Sequence, residues 1–181
     1  MTTQWIWKAI RAHLGSADDQ LWLTDAYSSL IYSKTLDAAR LEVATDKAIY
    51  WALRLGKGGH LYGQVIAANL LVVRNHAGDQ SNAFEQLRIA AEAAYPPGMH
   101  SLAICYLNGS GTRKDLAAAL RWFKAAADAG LGASQLAVAE MLFKGDGGPQ
   151  DIAGAWKYVI MARDYRPKAA DALIRRLAGA N

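Results

Sequence analysis

A single cysteine, Cys105, stands in the whole chain. It excludes an intramolecular disulfide and any metal site built from several thiolates. Proline is almost as scarce, with four in 181 residues, so long stretches lack the residue that most firmly interrupts a helix. Runs of β-branched residues are also rare, and with them the usual signature of a buried sheet. The longest apolar stretch, Val65 to Val73, contains Asn69 and falls far short of the roughly 20 residues a bilayer crossing needs. No membrane insertion is expected. At the N-terminus, Lys8 and Arg11 interrupt the place where a signal peptide would carry its apolar core, and the chain reads as cytoplasmic. A dense run of one charge sign is missing too: the 20 basic residues are scattered among 16 acidic ones. A net charge of +4 therefore permits an acidic partner, but supplies no dedicated groove for nucleic acid.

What the chain does have is 52% hydrophobic and 20% charged residues, the balance of a folded protein and not of a disordered one. Its 181 residues suffice for one domain or a short repeat array. Alanine is abundant, which favours helix. Sliding the sequence against itself decides between the two. Asp79, Asp115 and Asp151 lie 36 residues apart, as do Ala83, Ala119 and Ala155, and Ala90, Ala126 and Ala162. Gly109 and Gly111 fall on Gly145 and Gly147. Leu87, Phe123 and Val159 share a register, Ile66, Leu102 and Val138 another, and Phe84, Leu120 and Trp156 a third.

Each unit reads as two helices. The first carries an apolar stripe through Leu102, Cys105 and Tyr106 and stops at Gly109, which can take the left-handed conformation that ends helices. Asp115 then serves as N-cap, its carboxylate accepting from free N–H groups of the next turn. The second helix places Ala119, Leu120, Phe123 and Ala126 on one face, the two alanines offering smooth patches for close approach, and ends at Gly130. Helix pairs are predicted near 61–73 and 80–94, 98–108 and 116–129, and 133–144 and 152–164. Before them, Trp5, Ile6, Ala9, Ile10 and Leu14 form the stripe of a first helix. Ser16 can cap a second running to about Tyr32, and Thr35 to Leu55 can form one long helix. At the other end Pro167 suits the first turn of a helix carrying Ala170, Leu173 and Leu177, with Arg175 and Arg176 facing water.

The stretch from Leu102 to Gly130 resembles the Sel-one-like repeat (SLR) family, whose pattern of Leu, Tyr, Gly-x-Gly, Asp, Ala, Trp and Lys-Ala-Ala falls on Leu102, Tyr106, Gly109, Gly111, Asp115, Ala119, Trp122, Lys124, Ala125 and Ala126. The match is good from Ala133 to Ala162. It weakens from about Tyr62 to Ala94, where Val73 and Asn75 replace the glycines and Gln86 replaces Trp; a half unit around Ala48 and Trp51 precedes it. The resemblance implies an all-α fold, a right-handed α/α superhelical solenoid of helix-turn-helix repeats related to tetratricopeptide repeats, with helical caps. The chain then divides into an N-terminal cap over 1–46, an array of about three repeats plus a half unit over 47–163 and a capping helix over 164–181, all one continuous domain. Some members of the family are disulfide-linked, which the lone Cys105 rules out here.

Enzymatic chemistry finds little support. Phosphate-cradling glycine loops follow a strand and lead into a helix, whereas these follow a helix, so they read as turns. Asp115 and Asp151 occupy equivalent caps one repeat apart and do not pair as catalytic acids. His13, His60, His76 and His100 show no i, i+4 pairing or nearby cysteine cluster, so no metal and no cofactor is expected. Cys105 reads as a buried, inert thiol, and the register of Trp51 and Trp122 marks them as packing residues.

What remains is surface. By analogy with tetratricopeptide repeats, the first helices line a concave face, here with Gln64, Ala68 and Leu71, then His100, Ile104 and Leu107, then Leu136, Glu140 and Phe143. Leu71, Leu107 and Phe143 form an apolar ladder that either meets a partner or packs between repeats. The partner-binding residues expected are thus Gln64, Leu71, His100, Ile104, Leu107, Glu140 and Phe143. The resemblance implies a non-catalytic module binding another protein. Small SLR proteins without an export signal are familiar as bacterial adaptors or scaffolds and as immunity proteins that neutralise antibacterial effectors, phospholipase toxins among them. The immunity role is the reading adopted, with a toxin effector as partner. An RNA-associated helical-repeat protein, using Arg113, Lys114, Arg121 and Lys124, is a third reading; nucleic acid is not the expected partner.

Overall fold

A computed structural model describes residues 3–32 and 36–179. Among these residues there are ten α-helices and no strand: α1 (Thr3–His13), α2 (Ala17–Tyr32), α3 (Ala38–Lys57), α4 (Leu61–Arg74), α5 (Asp79–Glu92), α6 (Pro96–Asn108), α7 (Leu116–Asp128), α8 (Gly132–Lys144), α9 (Ile152–Met161) and α10 (Pro167–Ala178). They gather into two compact units, Met1–Ala90 and Ala91–Asn181. The six repeat helices expected from the sequence are all present, within a few residues of their predicted ends.

The second unit shows why the repeat register recurs. Ala103, Ala119, Ala127, Val138, Ala139, Ala155 and Val159 have no exposed surface worth the name and join Phe123, Leu120 and Leu142 in one core, closed at the far end by Leu173 and Leu177 of α10. Alanines at these positions let backbones approach, while Phe123 and Val138 fill the space between them. The loops are held as firmly as the helices. Gly109 and Gly145 end α6 and α8 in the left-handed region, with φ of 79° and 77°. Each loop then returns to its own helix, Asp115 N–H donating to Tyr106 O and Asp151 N–H to Leu142 O, both at 2.9 Å. The Asp115 carboxylate accepts from Ala118 N–H, and that of Asp151 from Gly154 N–H, so each aspartate caps the next helix as expected.

Gly147 has a further duty. Its φ is +81°, and a Cβ there would lie 2.3 Å from Leu116 O, inside the backbone at the start of α7. The loop after α8 thus rests directly on the first turn of the preceding repeat's second helix.

In the first unit the punctuation differs because the glycines are gone. Val73, in the register of Gly109, is a β-branched residue for which positive φ is costly. The helix therefore runs on to Arg74, and Asn75 takes the left-handed cap with φ 55°. Arg74 is thereby brought within a salt bridge of the aspartate of the repeat pattern. Its guanidinium donates from Nε and Nη2 to both carboxylate oxygens of Asp79, and from Nη1 to Asp46 of α3 at 2.8 Å. Asp79 is 2% exposed and also accepts from His76 N–H. The Arg74 hydrogen bonds, against the cost of burial, pull its carboxyl down to about pKa 2.

Earlier in the chain, α1 lays Trp5, Ala9 and Ala12 against Leu23 and Trp51, and Trp51 is buried as its register predicts. Ser16 Oγ accepts from Asp19 N–H, capping α2. Two expectations need correction. Leu14 is 82% exposed, because α1 ends at His13 and the residue falls beyond the stripe. The long helix begins at Ala38, where Asp37 caps it by accepting from Arg40 N–H, and it continues past Leu55 to Lys57. Thr35 itself, and the side chains of Ile6, Ile10 and Tyr32, lie outside the described residues.

Two outcomes follow. Gly109→Ala is expected to cost about 1 kcal/mol through its positive φ, whereas Gly147→Ala, which adds a backbone clash to the same penalty, should cost roughly 2–3 kcal/mol; urea unfolding of both variants measures the difference. For Asp79, a lowered folded pKa means that its stabilisation is complete above about pH 4 and is lost as the pH falls through 2. Asp79→Asn should lower stability at pH 7 by about 2 kcal/mol, since the largely buried Arg74 loses a charged bidentate acceptor. It should also flatten the acid limb of the stability profile, followed by thermal melts between pH 2 and 6.

Candidate functional site

The seven expected partner-binding residues divide between the two units. In the first, Gln64 and Leu71 are buried, at 7% and 2% exposure, as is Ala68. This corrects their placement on an open face. The cause is a glycine pair: a Cβ on Gly63 would lie 2.9 Å from Gly56 N and 3.0 Å from Ala52 O, so α3 and α4 meet backbone to backbone. Gln64 follows Gly63 into that seam, its Cγ 2.7 Å from where a Gly56 Cβ would stand. The side of α4 that reaches solvent carries Tyr62, Val72 and Val73 instead.

In the second unit the other five residues lie on α6 and α8 and behave differently from one another. His100 is a fastener. Its Nδ1 is 2.8 Å from Ser134 Oγ on α8, and its ring meets Phe123 of α7 edge-on at 5.3 Å. Burial lowers its pKa from the usual range, which favours the neutral ring. Ser134 is fully buried, and the contact therefore ties α6 to α8 from within. Leu107, Leu136 and Phe143 are half-buried and pack against the core, and Leu71 is buried, so packing is the use of the apolar ladder that the structure shows. Ile104, at 39% exposure, is the most open apolar residue of α6.

Glu140 is exposed and faces an arginine of α10 that is itself exposed, as expected. Arg176, from the last turn of α10, stands 3.6 Å from the Glu140 carboxylate, with its guanidinium 5.0 Å from the centre of the Phe143 ring. Arg175 does face solvent. The α8 surface is thus a ring and a carboxylate bridged by one cation, the carboxylate being half-exposed and the pair weak on its own. The loop adds a last support, Gln150 Nε2 donating to Phe143 O at 2.7 Å.

Cys105 is buried, and burial pushes its thiol pKa up, away from the reactive thiolate. Among the described residues, no three of His, Cys, Asp and Glu gather as a metal site requires, and no helix is long and apolar enough to cross a membrane.

Comparison with known proteins places this geometry. The family model described as Sel1 repeat matches residues 41–60, 96–131 and 132–164. No curated protein matches the chain. Among solved structures, a protective antigen present in uropathogenic Escherichia coli strains and displaying an SLR fold is similar over 98% of this chain, with a TM-score of 0.81 and 21% identity. A Sel1 repeat protein from Oxalobacter formigenes is similar over 92%, with a TM-score of 0.73 and 21% identity. The chain spans only 37% of the first protein and 63% of the second. Likeness at this identity carries the fold, that of an SLR solenoid. Sel1 repeats serve as protein–protein interaction modules, and proteins built from them are generally non-catalytic. Repeats in the register read from the sequence, matched by the family pattern and folded as its solved relatives fold, make the chain a Sel1-like repeat protein.

Proposed function

We propose that the chain is a non-catalytic protein-binding module whose second unit meets its partner through the outward side of α6 and α8. The observation that carries this reading is the composition of that side: an exposed Ile104 and the half-buried Leu107 and Phe143, bordered by the Glu140–Arg176 pair. An apolar centre within a charged border is the usual anatomy of a protein interface. A phosphate backbone would want several cations there, and Arg176 is already engaged by a carboxylate.

The partner we propose is an antibacterial effector, a toxin that the chain neutralises in the bacterial cytoplasm. Support comes from the family resemblance and from the bacterial origin of both solved relatives. An adaptor role would use the same surface with a different partner. Affinity capture from native cells, followed by a toxicity-rescue assay with the captured protein, distinguishes the two: rescue by the chain indicates immunity, and binding without rescue indicates an adaptor.

With a partner in hand, Ile104→Asp is the cleanest probe, because the side chain is open enough for a charge to be solvated. It should weaken binding at least tenfold, about 1.4 kcal/mol, while the melting temperature stays within a degree or two. Phe143→Ala is a less clean probe than sequence alone suggests, since the ring also packs on the core and its loss lowers stability as well as affinity. Arg121→Ala and Lys124→Ala on α7 should bind as the parent does. Isothermal titration of the four variants checks this; lost binding in the α7 pair with Ile104→Asp unaffected would sink the assignment.

A further inference from the structure

The register that aligns Asp79 with Asp151 also aligns Gln86 of α5 with Tyr158 of α9. In the second unit Tyr158 is 7% exposed, its ring lies in the core, and its hydroxyl donates to Asp128 Oδ1 at 2.9 Å. Asp128 is the last residue of α7, followed two residues later by Gly130 at φ +91°. The aromatic side chain thus ties one second helix to the end of the second helix before it.

The first unit has the same frame without the ring. Lys57 is the last residue of α3, followed two residues later by Gly59 at φ +90°, and so stands where Asp128 stands. Gln86 stands where Tyr158 does. Between them is an open pocket of about 490 Å³, whose lining includes Ile49, Tyr50, Leu53 and Leu71 together with Asp46, Gln86 and Lys57. Arg74, also in the lining, is held by Asp46 and Asp79, whereas Lys57 has no carboxylate partner among the described residues. The volume exceeds what one side chain fills and admits a large ring together with a neighbouring acidic group.

We propose that this pocket is a docking site for an aromatic side chain of a partner protein, adjacent to a carboxylate that pairs with Lys57. The ring replaces the one Gln86 does not supply. The acid follows from the exchange of Asp128 for Lys57, which reverses the polarity at the pocket's end: where the second unit offers an acceptor to a tyrosine hydroxyl, the first offers an ammonium group. The inference rests on the protein-binding reading but concerns a different unit, and its test needs no identified partner. Failure here leaves the α6–α8 assignment standing, and an unaffected Ile104→Asp variant leaves this pocket standing.

The probe is N-acetyl-tryptophan, which carries both a ring and a carboxylate, titrated into the whole isotope-labelled chain and followed by heteronuclear NMR. Saturable shifts are expected at Leu53, Leu71 and Gln86, with binding several-fold weaker for N-acetyl-tryptophanamide, which lacks the charge. Lys57→Glu, at an exposed position, should weaken N-acetyl-tryptophan by at least as much without changing the fold. Gln86→Trp should fill the pocket, abolish probe binding and raise the melting temperature. The proposal is overturned by the absence of saturable shifts up to the solubility limit of the probe, or by affinity that Lys57→Glu leaves unchanged. A folded Gln86→Trp variant that binds the probe like the parent overturns it as well; if that variant does not fold, Lys57→Glu carries the decision.

Discussion

Close contact between backbones is the constraint on which the rest of this structure depends. Helices that must be covered on both sides can stack only where small residues let the main chains approach, and the buried positions are accordingly alanine and glycine more often than any large side chain. Gly56 against Gly63, and Gly147 against the first turn of α7, take this to its limit, with no room for even a methyl group. Large residues such as Leu102, Phe123 and Val138 act as spacers between these contacts, which is why they keep the same register.

That constraint explains how a degenerate repeat survives. Where the glycine punctuation is replaced by Val73 and Asn75, the helix extends to the first residue that tolerates the left-handed turn, and the added Arg74 finds Asp79. A polar clamp substitutes for a backbone turn. The aspartate keeps its place in the register but changes its work, from capping the next helix as Asp115 and Asp151 do to holding a guanidinium and the preceding His76 N–H. Its neighbour in the pattern, Gln86, has no such substitute and lines an open pocket.

The repeat helices, the aspartate caps, the left-handed glycines and the buried Cys105 were all legible in the sequence, because each depends on local spacing or on a residue's own backbone preference. The candidate surface was legible only in part. Projecting concave positions onto α4 put Gln64 and Leu71 in the open, and it failed because the Gly56–Gly63 seam, a contact between two helices, sets which side of α4 faces inward. The engagement of His100 with Ser134 joins residues 34 positions apart and depends on how α6 and α8 stack. The Arg176–Glu140 pair was beyond reach for the same reason: nothing local distinguishes Arg176 from Arg175, and both are exposed, yet only Arg176 meets Glu140.

The bridge from α10 to α8 gives the last helix a second significance. A helix that only covered apolar surface would influence its neighbours through its presence or absence. Because Arg176 also touches the ring and the carboxylate of the α8 face, docking of α10 and the arrangement of that face are thermodynamically coupled. Any ligand that prefers the bridged arrangement draws free energy into the attachment of α10, and any change that loosens α10 is felt by the ligand to the same extent. Helix α10 is then tied to the α8 face by charge as well as by the apolar surface it covers.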